Sequence, residues 1–310
     1  MLRFVSVDSG KYATKGVMKI EDGKNKTIIF RTKMDPTKEE KSSDKKSFVV
    51  EYKGERYLIG ESAETVDYEK SKAKKIHKIA TYAAIGYLVD DGDEVVLTIG
   101  CPIAIFYNVD ERNQYKKFMH DESEISIYIN GVTKKFTIRK VIICPESSGI
   151  IYKNPNKYKD KLVGIIDIGG LNTNCCVYDR LAPVRSTHFT TNLGANILRN
   201  ELKQYLNSVF PDANLQDWQM EHIIKNGYIK SHKEESKKVI AEFLQMHVNN
   251  IIEEAKKKNW DIKNIDLIFV GGGSKLLERE IKNVIPDAEV SETAEWDNAE
   301  GFNIIGGING

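Results

Sequence analysis

The sequence predicts an α/β chain of two related domains, each built on a mixed β-sheet with flanking helices. Three observations carry that expectation. Each half opens on a short apolar strand that reaches an aspartate, residues 2–7 before Asp8 and residues 162–167 ending on Asp167. Each aspartate is followed by a glycine turn and a returning strand, so one device of strand, D-x-G turn and strand occurs twice, a domain length apart. Beyond each device, strand-like and helix-like segments alternate, and 310 residues leave room for two such cores.

Taken in order, residues 2–7 form the first strand, Ser9-Gly10-Lys11 the turn, and residues 14–20 the returning strand. From residue 21 to about 75 the chain is polar and lysine-rich, with an exposed loop expected over 33–46 whose charge serves solvation. Ile76, Ile79, Ala80, Ala83, Ala84 and Tyr87 recur at spacings of three and four, the period of one buried helical face over 72–88. A strand over 95–99 ends at Gly100-Cys101-Pro102, and 110–119 reads as a helix. Asn130-Gly131 turns a hairpin between 125–129 and 135–138, because both residues tolerate positive φ. A further strand over 140–144 stops at Pro145-Glu146-Ser147-Ser148-Gly149.

The second half has strands over 162–167 and 173–178, then helices over 193–206, 216–225 and 233–257. The strand 266–270 is capped by Gly271-Gly272-Gly273 before a helix over 275–284. The last helical pattern, 298–308, is expected to cross back to the first half. The domains so defined are 1–160 with 297–310, carrying a small variable subdomain at about 31–90, and 161–296.

Composition excludes several classes. The chain has 46 basic and 45 acidic residues and 41% hydrophobic residues, the balance of a soluble globular protein with no basic field for direct nucleic-acid binding. No apolar run of membrane-spanning length occurs, and MLRFVSVDSG lacks the pattern of a secretion signal, so the expected location is the cytoplasm. Cys101, Cys144, Cys175 and Cys176 form no C-x-x-C pair and read as reduced core thiols. The six histidines show no metal-ligand spacing and read as surface or satisfied buried groups.

Chemistry gathers at the glycine turns. Glycine after a strand lets backbone N–H groups approach phosphate oxygens, since no Cβ intervenes. Asp8-Ser9-Gly10-Lys11-Tyr12-Ala13-Thr14-Lys15 sets a carboxylate at the strand tip and Lys15 on the returning strand; Asp167-Ile168-Gly169-Gly170-Leu171-Asn172 repeats carboxylate and glycine. Two such turns facing each other would clamp a triphosphate, and the two aspartates would hold a hydrated Mg²⁺, a cation that prefers oxygen ligands and keeps most of its waters. The plainer readings are a capped turn for either aspartate, an exposed Lys15, a solvated Glu146, and a simple strand-to-helix connection for Gly271 to Gly273.

The order of D-S-G-K-Y-A-T-K, C-P-E-S-S-G, D-I-G-G-L-N and V-G-G-G-S-K-L-L resembles that of the actin, Hsp70 and sugar-kinase superfamily. Within it, Pro145-Glu146-Ser147, the Asp167 string and Thr191-Asn192-Leu193-Gly194-Ala195-Asn196 look most like the bacterial actin-like plasmid-segregation proteins, the ParM family. The resemblance spans nearly the whole chain and is weakest over 21–75. Asn172 and Asn174 stand where relatives often carry Thr and Asp.

The resemblance implies an actin-like ATPase fold with a nucleotide cleft between its domains and ATP or GTP with Mg²⁺ as cofactors. It implies metal-orienting roles, through water, for Asp8 and Asp167. Ser9, Gly10, Lys11 and Lys15 would meet the nucleotide at the first turn, and Gly169, Gly170, Leu171 and Asn172 at the second. Gly194, Gly271, Gly272, Gly273 and Lys275 would complete the nucleotide contacts, the three glycines lying against the base. Glu146 would position the attacking water, as a carboxylate near a γ-phosphate can.

The implied function is a filament-forming NTPase that polymerises with copies of itself and segregates plasmid DNA through a ParR-like DNA-binding adaptor on a plasmid centromere. Neither direct nucleic-acid binding nor membrane association is expected. Fold alone leaves two alternatives, a small-molecule kinase of the sugar-kinase type and a non-polymerising Hsp70-like ATPase. The first lacks a clear sugar-binding cluster, and the second lacks an appended peptide-binding domain.

Overall fold

A computed structural model of the chain describes residues 1–20, 22–67, 72–120 and 124–310. The chain divides into two units, Met1–Lys153 with Asn298–Gly310, and Asn154–Asp297.

Unit 1 holds β1 (Leu2–Ser9), β2 (Ala13–Lys19), β3 (Asn25–Arg31), β4 (Met34–Pro36), β5 (Ser47–Tyr52), β6 (Glu55–Gly60), β7 (Asp93–Cys101), β8 (Glu124–Ile129) and β9 (Val132–Pro145). They form one mixed sheet in the order β3-β2-β1-β7-β9-β8-β5-β6-β4, parallel across β1–β7 and β7–β9. Its helices are α1 (Lys75–Leu88), α2 (Ile103–Tyr107), α3 (Val109–Met119) and α4 (Gly149–Lys153).

The stretch read as polar and lysine-rich supplies four strands, of which β4 alone lies within the loop expected over 33–46; Glu21 and residues 68–71 lie outside the described residues. In β3, Ile28 and Phe30 point into the core while Thr27 and Ile29 are exposed, a period-two pattern diluted by flanking lysine and asparagine. The β5–β6 hairpin turns on Lys53 and Gly54, both at positive φ (52° and 75°), the type I′ geometry that Asn-Gly would have announced and Lys-Gly does not.

Strand β9 joins the two strands expected over 135–138 and 140–144. Its pairing with β7 slips between Ile138 and Lys140, a bulge at Arg139. The slip moves the inward set from Phe136 and Ile138 to Val141, breaking the simple alternation. Along α1 the burial is wider than one stripe: Tyr82, Ile85 and Leu88 are buried as well, whereas Tyr87 is 48% exposed, with the Lys26 ammonium over its ring.

Unit 2 holds β10 (Leu162–Ile168), β11 (Thr173–Asp179), β12 (Ala182–Pro183), β13 (Phe189–Thr191), β14 (Asp266–Val270) and β15 (Glu289–Val290), in the order β12-β11-β10-β14-β15 with β13 on β11. Its helices are α5 (Pro155–Tyr158), α6 (Ala195–Val209), α7 (Asp217–Asn226), α8 (Lys233–Lys257), α9 (Gly272–Leu276) and α10 (Glu278–Val284). The single helix expected over 275–284 is two, broken at Leu277, and Gly272 and Gly273 belong to the first of them. The core joins Ile166 and Phe269 of the sheet to Leu198 and Leu202 of α6 and Leu244, Val248 and Ile251 of α8. Cys175 and Cys176 point to opposite faces of β11, yet both are buried, because this strand is covered on both sides.

The last helix, α11 (Asp297–Asn309), packs its Asn298–Gly310 portion within unit 1. Ser6 donates to the Ala299 carbonyl at 2.6 Å, and the Asn303 amide donates to the carbonyls of Phe4 and Val17 at 3.0 and 3.1 Å. Gly301 lets α11 lie directly on the Gly149 backbone, where a Cβ would stand 2.1 Å from the carbonyl oxygen.

Candidate functional site

The paired turns repeat down to single hydrogen bonds. In unit 1, Asp8 lies opposite Lys15 and Ser9 opposite Thr14, and the Gly10 N–H donates to the Ala13 carbonyl at 3.1 Å. In unit 2, Asp167 lies opposite Asn174 and Ile168 opposite Thr173, and the Gly169 N–H donates to the Asn172 carbonyl at 2.9 Å. A Cβ on Gly10 or Gly169 would come within 2.9 or 3.0 Å of that same carbonyl oxygen, which is why each turn takes glycine. Both of these N–H groups close their own turns.

The register also aligns Lys15 with Asn174, so the turns differ in charge at equivalent positions. Lys15 is half-buried. The Asn174 carboxamide oxygen accepts from Thr190 at 2.8 Å.

Lys11 is drawn into a network. Its ammonium donates to Asp67 at 3.0 Å and to His77 Nε2 at 2.9 Å, while His77 Nδ1 lies 3.0 Å from Ser9 Oγ. An ammonium only donates, so Nε2 is the acceptor and Nδ1 carries the proton that Ser9 accepts. Burial, then the charges of Lys11 and Lys72, push the His77 pKa down to about 3, which keeps the ring neutral. Burial likewise lowers the pKa of Lys11 against the opposing pull of Asp67.

Glu146 follows β9 and is 5% exposed. Its N–H donates to the Cys101 carbonyl at 2.8 Å, tying it to the end of β7, and the next residue, Ser147, takes a positive φ of 69°. Gly100 makes room for both Phe302 and the Glu146 side chain.

The ammonium of Lys72 contacts the Glu146 carboxylate and lies 3.8 Å from Asp8 Oδ1, with Asp8 and Lys72 themselves buried. Burial alone would lower the lysine pKa, but the two carboxylates outweigh it and hold the ammonium above the usual lysine range. Burial also suppresses ionisation of the neighbouring Tyr115 phenol, which donates to the Gly100 carbonyl.

In unit 2, Asp167 sits on the glycine segment. A Cβ on Gly271, whose φ is 84°, would stand 2.4 Å from Asp167 Oδ1, and one on Gly273 would stand 2.3 Å from the Ile168 side chain. Gly272 faces open space. The start of α6 wraps the second turn: Ala195 and Asn196 donate to the carbonyls of Gly169 and Gly170 at 2.9 and 2.7 Å. Gly194 is pressed onto the backbone of Leu171 and Asn172, where a Cβ would fall 2.3 Å from the Leu171 carbonyl carbon. Lys275 stands apart, ion-paired with Glu278 at 2.7 Å.

Unit 1 thus gathers Asp8, Ser9, Lys11 and Glu146, and unit 2 gathers Asp167, Gly169 to Asn172, Gly194 and Gly271 to Gly273. Asp67, Lys72 and His77 are the residues that sequence reasoning missed. Lys72 is one of several lysines in Lys70-Ser71-Lys72-Ala73-Lys74-Lys75, and nothing in that run singles it out.

The donor set suits a phosphate with a hard cation. Buried carboxylates stand at both strand tips, and the Ser147 hydroxyl beside Glu146 is buried with no hydrogen-bond partner among the described residues, a polar atom that a phosphate or its water would satisfy.

Residues 6–149 match the family model of the N-terminal domain of actin-like proteins. Among solved structures, the chain is similar over 99% of its length to all of Ta0583, an archaeal actin homologue (TM-score 0.82, 19% identity), which has also been solved in complex with ADP. It is similar to the subunit of the Alp12 filament structure (TM-score 0.75, 26% identity, 99% of each chain) and to that of a 15-stranded ParM filament from Clostridium botulinum (TM-score 0.78, 19% identity, 99% of each chain). No match is found among curated proteins. With a first unit that matches the N-terminal domain of actin-like proteins and actin homologues that match it in fold from end to end, the chain has the actin-like fold and is similar in structure to Alp12 and ParM.

Proposed function

We propose that the chain is a nucleotide-dependent, filament-forming NTPase that hydrolyses ATP, GTP or both, and that it segregates plasmid DNA through a ParR-like adaptor. The observation that carries this reading is the buried Asp8 and Glu146 beside the first glycine turn, together with the matching carboxylate and turn at Asp167. The ADP bound by Ta0583 and the filaments of Alp12 and the clostridial ParM support it by analogy. Among the described residues no helix is long and apolar enough to cross a membrane.

A nucleoside triphosphate with Mg²⁺ supplies the leaving group and the metal's neutralising charge. Asp8 and Asp167 would hold the hydrated metal through its waters, and the amides following Gly10 and Gly169 would meet the phosphate oxygens. Glu146 orients the attacking water, its backbone anchored by its N–H bond to the Cys101 carbonyl and its carboxylate contacted by Lys72. The test adds ATP or GTP with Mg²⁺ to purified protein and follows light scattering, pelleting and phosphate release together. A scattering rise that decays as phosphate appears is expected. Phosphate release without pelleting, across protein concentration and salt, would remove the filament; no release would remove the NTPase.

A further inference from the structure

Asp67, Lys72 and His77 lie five residues apart in sequence, and each reaches a group of the first half-site. Asp67 binds Lys11, Lys72 binds Glu146 and approaches Asp8, and His77 binds Ser9 and Lys11. Only the central one touches the carboxylate assigned to the attacking water. Asp8 lies on β1 and Glu146 directly after β9, both are buried, and both are acidic; an ammonium lodged against one and near the other offsets their repulsion.

A lysine this buried loses rotamer freedom and hydration, a cost that only a fixed geometry with its partners offsets. The Glu146 backbone is steadied by the N–H bond to Cys101 and the Ser147 turn, and neither of these orients the carboxylate. Lys72 does.

We propose that Lys72 is a positioning residue for hydrolysis: it fixes the Glu146 carboxylate in the orientation that holds the attacking water and keeps Asp8 and Glu146 together as a charge-compensated pair. The inference rests on the NTPase reading and adds to it a residue from the segment leading into α1. Lys72 acts through Glu146, so its removal lowers turnover and leaves nucleotide affinity nearly unchanged. Groups that orient a reacting partner typically change activity ~10–100-fold when removed.

The test compares wild type, Lys72→Met, Lys72→Arg, Glu146→Gln and the Lys72→Met/Glu146→Gln double variant, using ATP and GTP with Mg²⁺. Lys72→Met is expected to lower kcat by ~10–100-fold with nucleotide KM within about threefold, and Lys72→Arg to recover most of the loss. In the Glu146→Gln background, Lys72→Met should have no further effect on kcat. A second readout needs no nucleotide: in thermal unfolding of the nucleotide-free protein, Lys72→Met should lower Tm in the wild-type background and markedly less in the Glu146→Gln background.

An equal loss of kcat in both backgrounds, or a tenfold rise in KM, would overturn the inference in favour of direct contact with the nucleotide. Unchanged kcat in Lys72→Met would also overturn it. Should Lys72→Met fail to fold, Lys72→Arg decides through its kcat, since a charge-keeping variant with KM held and kcat near wild type supports positioning and one with raised KM opposes it. Wild type that releases no phosphate would defeat the NTPase reading instead, leaving the unfolding comparison as the check on the Lys72–Glu146 pair.

Discussion

Gly271 lies directly beneath Asp167, so close that a Cβ there would be 2.4 Å from the carboxylate oxygen and 2.6 Å from the Ile168 carbonyl. Its φ of 84° is itself costly for any residue with a side chain. Gly271→Ala should therefore destabilise the protein by at least ~1–3 kcal/mol and displace Asp167. Gly272→Ala, one residue on in α9 with nothing within 4 Å, should be neutral or stabilising by up to ~1 kcal/mol. Denaturant unfolding of the two variants checks both, and equal effects would contradict the assignment of strain to Gly271.

Glu146→Gln should slow phosphate release ~100-fold or more while nucleotide affinity stays near wild type, because the amide keeps the shape and loses the charge that polarises water. Glu146→Ala should show the same kinetic effect with an added loss of stability, since it removes a partner from the buried Lys72 ammonium. Normal phosphate release in either variant would remove Glu146 from the mechanism.

How far the sequence reaches is visible in these residues. Asp8, Asp167 and Glu146 stand where apolar strands end, and the equal spacing from Asp8 to Lys15 and from Asp167 to Asn174 places both turns in the same register. The strands of 25–31, 47–52 and 55–60 were hidden because each is short and set among lysines, and because a Lys-Gly turn carries a weaker signal than Asn-Gly. The bulge at Arg139 hid the continuity of β9 by reversing its alternation. Lys72 and His77 were illegible for a different reason: their significance lies in contacts across more than sixty residues of chain, which no local pattern encodes.

Asp167→Asn should weaken nucleotide binding in the presence of Mg²⁺ and leave it little changed in its absence, because the amide accepts fewer hydrogen bonds from metal-bound water. Titration of a fluorescent nucleotide with and without Mg²⁺ measures the difference. Affinity that is the same as wild type under both conditions would refute the metal-orienting role. Stability should fall only modestly, since the side chain that packs on Gly271 keeps its volume.

His77 makes acid stability a test of the first half-site's local network. Its folded pKa of about 3 lies below the ordinary histidine value of 6.5, so the unfolded chain binds a proton that the folded chain refuses. Its contribution is complete above about pH 6.5 and declines as pH falls, by roughly 1.4 kcal/mol per unit, until the folded ring also protonates near pH 3. His247, held to about 4 by burial in unit 2, adds a similar decline that ends sooner. His77→Gln can still bond to Ser9 and Lys11 but cannot titrate, so it should lose less stability than wild type between pH 6.5 and 4.5. Urea midpoints across that range, compared with His247→Gln, separate the two contributions. Parallel slopes for His77→Gln and wild type would mean that the ring is not held neutral, and that Lys11 does not donate to it as the geometry requires.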